Sequence, residues 1–146
     1  MADFVVRKAL AAEAGQIIDL IHLVEINPTG LDWKRFVVAV EPDGKVIGCG
    51  QLKPHGGEIL EVASIAVTPA HRGRGIARAV IEALLADSPR PLYLMCMSHN
   101  GLMYEKFGFR VVPDENLPRY FKRIRKLFTL ATVLHRTEEL LVMILE

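Results

Sequence analysis

Residues 59–78 decide the fold and read Ile59-Leu-Glu-Val-Ala-Ser-Ile-Ala-Val-Thr-Pro-Ala-His-Arg-Gly-Arg-Gly-Ile-Ala-Arg78. An apolar stretch runs into a proline turn, then into a loop of glycines and arginines, and then into a predicted helix. Gly73 and Gly75 lack Cβ atoms, so the backbone can turn tightly and direct several N–H groups at one anion, to which the helix adds the positive end of its dipole. Three arginines add positive charge: Arg72, Arg74 and Arg78. The stretch therefore predicts a site for a phosphate or a pyrophosphate.

The composition is that of an ordinary folded protein. With 146 residues, of which 51% are hydrophobic and 24% charged, the chain predicts one domain over residues 1–146. A net charge of +1 gives no field that would attract nucleic acid, and no apolar run is long enough to cross a bilayer. We therefore expect no nucleic-acid and no membrane partner, and a cytoplasmic location because the N-terminus shows no export signal. Cys49 and Cys96 form no C-x-x-C pair and are expected to be buried thiols.

The predicted elements alternate in a fixed order along the chain. Apolar periodicity predicts strands over 4–7, 35–40, 45–52, 58–67, 91–97, 109–112 and 139–145, and helices over 11–24, 76–85, 101–107 and 117–131. The turn Glu41-Pro-Asp-Gly44 predicts an antiparallel hairpin, because Pro42 suits the second turn position and Gly44 the last. On the first helix the predicted apolar face carries Ala14, Ile17, Ile18, Ile21 and Val24.

Three kinds of phosphate-binding loop can be compared with this one. A P-loop requires Lys followed by Ser or Thr after the glycines, and neither pair is present. A dinucleotide fingerprint requires a third glycine where Arg78 stands, and four predicted strands precede the loop. The segment Arg72-Gly-Arg-Gly-Ile-Ala77 instead has an Arg, a Gly three residues later, and an Ala two residues after that. With Asn100-Gly-Leu-Met-Tyr-Glu-Lys-Phe-Gly-Phe109 as a second segment, the sequence resembles the GNAT superfamily of acetyl-CoA-dependent N-acetyltransferases.

The resemblance implies a fold and a co-substrate. The fold would be α+β, with a central mixed, mostly antiparallel sheet of six to seven strands flanked by helices and splayed at the strand carrying Ile65 to Val67. Backbone N–H groups of the loop would hold the pyrophosphate of acetyl-CoA, and the main chain of that strand would bond the pantetheine arm. Asn100 would bond the pantetheine or, alternatively, cap the short helix. The cofactor-binding residues implied are Ile65, Ala66, Val67, Arg72, Gly73, Arg74, Gly75, Ile76, Ala77, Arg78 and Asn100.

The resemblance also implies two catalytic side chains and no metal. Tyr104 lies where the family commonly has a general acid, which would donate a proton to the departing thiolate. Glu61 is the first candidate for the proton acceptor, with Glu58 as the runner-up and a water chain as a further alternative. Strand alternation puts Glu61 on the same face as Ala63 and Ile65 unless a bulge intervenes. The histidines show no ligand spacing and are expected on the surface or in loops: His22, His55, His71, His99 and His135.

The implied activity is transfer of the acetyl group of acetyl-CoA to a primary amine by direct attack in a ternary complex. A small amine or an amino acid is the favoured acceptor, and a protein N-terminus or lysine is an alternative. A non-catalytic acyl-CoA sensor or interaction module is the competing class.

The helix over 117–131 is predicted to have an apolar face and a basic outer face. The apolar face carries Leu117, Tyr120, Phe121, Ile124, Leu127, Phe128 and Ala131, and the basic face carries Arg119, Lys122, Arg123, Arg125 and Lys126. The basic face is either solvated or binds an acidic substrate, and the solvated face is favoured. The apolar face of this helix and the last strand leave a homodimer open.

Overall fold

The structure is a computed structural model that describes residues 3–86, 88–132 and 139–146. These residues form a seven-stranded mixed sheet and four α-helices, which confirms the expected α+β class and strand number. The chain divides into two compact units, Met1–Lys53 with Val62–Ser88 and Pro54–Glu61 with Pro89–Glu146, and each is described by itself. The single domain and the splay of the sheet stay predictions. Each helix within the described ranges is too short or too polar to traverse a lipid bilayer.

The first unit is built on an antiparallel arrangement of strands. Its elements are β1 (Val5–Lys8), α1 (Ala14–Leu23), β2 (Phe36–Val40), most of β3 (Val46–Pro54), most of β4 (Leu60–Val67) and α2 (Ile76–Ala86). Val5 lies opposite Val40, and Phe36 lies opposite Gln51, so β2 is antiparallel to both of its neighbours. Gly44 closes the β2–β3 turn with a φ of 90°, as the predicted hairpin requires.

One face of this unit is covered by α1. Ile17, Leu20 and Ile21 pack in a buried cluster with residues of β2, β3 and β4. Ile18, which the sequence placed on this face, is 39% exposed, and Leu20 takes its place. Ile17, Leu20, Ile21 and Val24 follow the i, i+3, i+4, i+7 spacing of one helical face, and Ile18 lies at the edge of that face.

The second unit is organised around its last strand. Its elements after Pro89 are β5 (Leu92–Met97), α3 (Gly101–Glu105), β6 (Arg110–Val111), α4 (Arg119–Thr132) and β7 (Leu140–Leu145). All six residues of β7 pair antiparallel with β5, and β6 pairs with its other edge. The predicted closing strand is therefore confirmed.

Among the residues that the structure describes, the buried core of the second unit reaches only the first turns of α4. Phe121 is fully buried with Val112, Leu117 and Val142. Leu127, which the sequence placed on the apolar face of the helix, is instead 57% exposed, because the buried cluster does not extend along the helix that far. The prediction for Ala131 falls on a side chain outside the described residues.

Candidate active site

The predicted anion loop folds as a tight turn at the start of α2. Gly73 has a φ of 82° and Gly75 a φ of 76°, and an added Cβ would meet no atom within 4 Å at either position. Both glycines are therefore required for the left-handed backbone and not for space. The carbonyl of Gly75 accepts the first helical hydrogen bond, from Ala79 N at 3.1 Å, so Ile76 is the first residue of the helix.

Six successive backbone N–H groups at this turn have no acceptor. The N–H groups of residues 73–78 donate to no atom of the residues that the structure describes. The first N–H groups of a helix have no intrahelical acceptor, and a turn of glycines immediately before them aligns further donors with the helix dipole. The turn therefore presents what an oxyanion needs, and the predicted residues Gly73 to Arg78 lie together here.

The arginines of the turn are only partly available as free charges. Arg74 Nη1 donates to His71 Nδ1 at 2.6 Å and lies 3.9 Å from Glu41 Oε2, and its guanidinium lies over the Phe4 ring. Arg78 Nε donates to Glu82 Oε1 at 2.9 Å. Arg72 is exposed. The sequence predicted three arginines around an anion, but it missed the carboxylates that offset two of them.

Strand β4 is irregular at Ser64. This residue has a φ of 58°, which is rare outside glycine, and its carbonyl and hydroxyl accept from Cys49 Sγ at 3.6 Å and Gln51 Nε2 at 2.8 Å. The alternation that would place Glu61 on the face of Ile65 therefore does not carry across Ser64. A bulge was the stated exception to that prediction.

Residues 65–67 follow this irregularity. A Cβ added at Gly50 would lie 2.6 Å from Ile65 Cδ1, so the Ile65 side chain packs over β3, and Ala66 is buried in the α1 cluster. Core packing thus accounts for these side chains. The proposed bonds from the main chain of Ile65, Ala66 and Val67 to pantetheine stay predictions.

Glu61 is buried and paired with a histidine. Its Oε1 lies 2.6 Å from His55 Nε2, and the two side chains are only 5% and 9% exposed, respectively. The sequence placed His55 among surface or loop histidines, and it does lie in a turn, but its side chain is almost enclosed. The signal that could have found the pair is the Gly56-Gly57 turn, which lets the residues on either side of it face each other.

The runner-up base, Glu58, lies elsewhere. The sequence placed it in the strand, but β4 begins at Leu60 and Glu58 is an exposed turn residue with a φ of 64°. Its side chain makes no hydrogen bond or ion pair with the described residues. Glu58 therefore lacks the burial and the fixed partner that Glu61 has.

Tyr104 is held inside the second unit. It lies on α3, is 9% exposed, and packs edge-on against Phe109 with ring centroids 6.3 Å apart. Burial, with a smaller contribution from the neighbouring Cys96, raises the pKa of Tyr104 to about 12. An unperturbed tyrosine has a pKa of about 10. The phenol therefore keeps its proton and is a better hydrogen-bond donor than proton donor.

Asn100 directly precedes α3, and its side chain makes no capping hydrogen bond to that helix. The capping alternative is therefore wrong, and contact with pantetheine stays a prediction. Both cysteines are buried as predicted, and burial raises the pKa of Cys49 to about 12 and that of Cys96 to about 11. Within the described residues, no group of three or more His, Cys, Asp or Glu side chains is arranged to hold a metal ion.

Arg125, on the basic helix α4, was predicted to face solvent, but it is only partly exposed. It donates to the Leu140 carbonyl at 2.7 Å and pairs with Asp114. This cation therefore ties α4 to β7, and the remaining basic side chains form the solvated face: Arg119, Lys122, Arg123 and Lys126. His22 and His99 are exposed as predicted, and His135 lies outside the described residues.

Residues 32–111 match the acetyltransferase (GNAT) domain family. The match includes the turn at Gly73 to Arg78, Glu61 and Tyr104, and it covers more than half of the chain. The chain therefore belongs to the GNAT acetyltransferase family, as the two segments indicated.

Two named relatives share part of the sequence. An amino-acid acetyltransferase of Mycobacterium tuberculosis is 36% identical over 91 residues, which are 56% of this chain and 52% of that protein. A mycothiol acetyltransferase of Rhodococcus opacus is 35% identical over 83 residues, 56% of this chain and 27% of that protein. The chain thus spans about half the length of the first relative and about a quarter of the second.

Solved structures show the same fold over nearly the whole chain. An N-acetylglutamate synthase from Neisseria gonorrhoeae, complexed with coenzyme A and N-acetyl-glutamate, has a TM-score of 0.75 at 18% identity and covers 97% of this chain and 35% of its own. Rv2747 from Mycobacterium tuberculosis, in complex with CoA, has a TM-score of 0.72 at 23% identity and covers 97% and 98%. At these identities the likeness shows the fold alone.

Proposed function

We propose that this protein is an N-acetyltransferase that moves the acetyl group of acetyl-CoA to a primary amine by direct attack in a ternary complex. The observation that carries the proposal is the row of six N–H groups from Gly73 to Arg78 with no acceptor among the described residues. A pyrophosphate has enough oxygens to accept from several of these groups at once. Membership of the GNAT family identifies coenzyme A as the carrier of that pyrophosphate.

The chemistry requires a proton acceptor and a group that stabilises the thiolate. Amines arrive protonated at neutral pH, so one proton must leave before nitrogen can attack the acetyl carbonyl. Glu61 supplies the negative charge that draws this proton, and Tyr104 donates a hydrogen bond to the sulfur as the carbon–sulfur bond breaks. The buried Tyr104 phenol, with its pKa raised to about 12, keeps that hydrogen available over the working pH range.

An amino acid or another small amine is the favoured acceptor. Support comes from the Mycobacterium tuberculosis relative, which is named an amino-acid acetyltransferase, and from the fold neighbour complexed with N-acetyl-glutamate. The cytoplasmic location and the homodimer remain predictions from the sequence.

The experiment is a panel of amino acids, small amines and lysine peptides, assayed by release of the CoA thiol from acetyl-CoA. We expect saturable release with one or more amino acids, and mass spectrometry of the product should show one added acetyl group. If acetyl-CoA binds but no amine in the panel is acetylated, the chain is an acyl-CoA sensor and the enzyme proposal is wrong. A preference for lysine peptides would indicate that the acceptor is a protein lysine.

A further inference from the structure

A tight turn fixes His55 beside Glu61. His55 N donates to the Ile59 carbonyl at 3.0 Å, and Ile59 N donates to the Gly56 carbonyl at 3.0 Å. This closure places His55 Nε2 2.6 Å from Glu61 Oε1, although six residues separate them in the chain. Such a short contact between two nearly enclosed side chains is a charge-assisted hydrogen bond.

Aromatic rings from α4 hold the imidazole in one orientation. The Tyr120 ring stacks on His55 with centroids 3.8 Å apart and planes 18° apart. Phe121 packs edge-on at 6.3 Å. A ring that is stacked on one face and bonded at one nitrogen cannot turn, so the direction of its second nitrogen is fixed.

The negative charge of Glu61 affects the pKa of Tyr120. Burial, and then the negative charge of Glu61, raise the pKa of Tyr120. A charged Glu61 accepts hydrogen bonds only, so the hydrogen between it and His55 belongs to Nε2. The neutral imidazole then has its lone pair on Nδ1.

His55 Nδ1 is not fully enclosed. It makes no hydrogen bond to the residues that the structure describes. Of the fully enclosed side-chain nitrogen and oxygen atoms in these ranges, only Gln51 Oε1 has no partner, so Nδ1 is not sealed from water. An imidazole with one nitrogen bonded to a carboxylate and the other unbonded and not fully enclosed is the arrangement of a general base held by its orienting group.

We propose that His55, oriented by Glu61, accepts the proton of the acceptor amine at Nδ1, either directly or through one water. This inference rests on the proposed function and deepens it, because it assigns the proton to His55 and makes Glu61 the positioning residue. The titratable groups that contact the ring are Glu61 from β4 and Tyr120 from α4.

The protons balance as follows. The ammonium N–H bond breaks and an N–H bond forms on Nδ1, which leaves the neutral amine and an imidazolium paired with Glu61. The amine lone pair attacks the acetyl carbonyl, and the carbon–sulfur bond breaks with its electron pair on sulfur. The second nitrogen proton ends on the thiolate, and the imidazolium releases its proton to water. One proton is released for each acetyl group transferred.

His55→Gln tests the proposal, because a glutamine amide can still donate to Glu61 but cannot accept the proton. We expect kcat/KM to fall on the order of 10²-fold or more, with the acidic limb of its pH profile lost. Stabilisation by acetyl-CoA should be unchanged, which also shows that the variant is folded. His22→Gln, the same change at an exposed histidine, should leave the rate unchanged.

Glu61→Gln separates the two roles. If Glu61 only positions His55, the acidic limb persists in Glu61→Gln, because the imidazole that accepts the proton is still present. If Glu61 is the base, the limb disappears in Glu61→Gln and remains in His55→Gln, and the proposal is overturned. Should His55→Gln fail to fold, His55→Asn and the presence or absence of the acidic limb in Glu61→Gln carry the test. A wild-type protein that acetylates no amine would instead refute the proposed function.

Discussion

Burial decides how easily the Tyr104 phenol gives up its proton. A phenol with a pKa of about 12 transfers its proton to a thiolate unfavourably, since a free thiol has a pKa of about 8.5. The proposed hydrogen bond from Tyr104 to the sulfur needs no full proton transfer and is strongest in a site from which water is excluded.

Tyr104→Phe should slow thiol release from acetyl-CoA on the order of 10²-fold, because it removes this donor and keeps the ring that packs on Phe109. Steady-state rates with a saturating amine measure the effect. Tyr93→Phe is the control, since this ring only packs against Phe121 in the core, and its rate should match the wild type. An equal rate for Tyr104→Phe would remove Tyr104 from the mechanism.

Glu13, like Glu61, is a buried carboxylate with fixed hydrogen-bond partners. Arg7 donates to both of its oxygens at 2.9 and 2.7 Å, and Leu10 N donates to Oε1 at 2.8 Å. The hydrogen bond from Arg7 lowers the pKa of Glu13 below its ordinary 4.5, and the bond from Leu10 adds to this. The stabilisation is therefore present above about pH 4.5 and is lost as the pH falls through the lowered value.

Glu13→Gln should lower the free energy of unfolding at pH 7 by about 1–3 kcal/mol, because it removes the charge from the bonds to Arg7 and Leu10. The difference from wild type should shrink as the pH falls below 4.5 and through the lowered pKa of Glu13, where the native carboxylate becomes protonated. Urea denaturation at several pH values measures both effects. Glu115→Gln, an exposed change, should shift the free energy by less than about 0.5 kcal/mol at every pH. A Glu13 effect that does not change with pH would contradict the electrostatic account.

At the scale of elements, two glycines of β3 let α2 pack closely on the sheet. A Cβ at Gly48 would lie 2.5 Å from Ile76 Cγ2, and one at Gly50 would lie 2.6 Å from Ile65 Cδ1 and 2.9 Å from Val80 Cγ1. These are closer than real contacts, so the buried face of α2 depends on the missing side chains. The same helix carries the turn at Gly73 to Arg78 at its N-terminus, so its packing fixes where the N–H groups point.

Gly50→Ala should destabilise the protein by about 1–3 kcal/mol, because the new methyl group overpacks β3 against α2. Gly15→Ala is the matched control. Gly15 lies on α1, and a Cβ there meets nothing within 4 Å, so the substitution should stabilise by about 0.4–1 kcal/mol. Thermal unfolding of both variants measures the contrast. The packing account would be wrong if Gly50→Ala were as stable as wild type.

The elements whose signals are local could be predicted from the sequence. Alternation and a Pro-x-Gly turn predicted the β2–β3 hairpin, and apolar spacing predicted α2 within one residue. The left-handed residues Glu58 and Ser64 could not be predicted, because nothing in their residue types favours a positive φ. The pair of His55 and Glu61 was also missed, because it depends on the turn at residues 56–58, which includes the left-handed Glu58.

At the scale of the whole molecule, the sequence predicted the turn at Gly73 to Arg78, but it predicted no pocket for the acceptor. The turn can be recognised from the sequence, because Gly73 and Gly75 must be glycine to reach their conformation. An acceptor pocket is lined by side chains from distant segments, and no spacing along the chain marks it. The carboxylates that offset Arg74 and Arg78 were missed for a related reason, because they depend on which side chains the fold brings within reach.

Thermal unfolding with acetyl-CoA tests the central claim most directly. A ligand that binds only the native state at 100 times its Kd adds about 2.7 kcal/mol of stability. For a chain of this size that corresponds to a rise in Tm of roughly 5–10 °C. Acetyl-pantetheine, which carries the same thioester and lacks the pyrophosphate, should produce a far smaller rise at the same concentration. A Tm that does not move with acetyl-CoA, or that moves equally with both compounds, would contradict the assignment of the Gly73 to Arg78 turn.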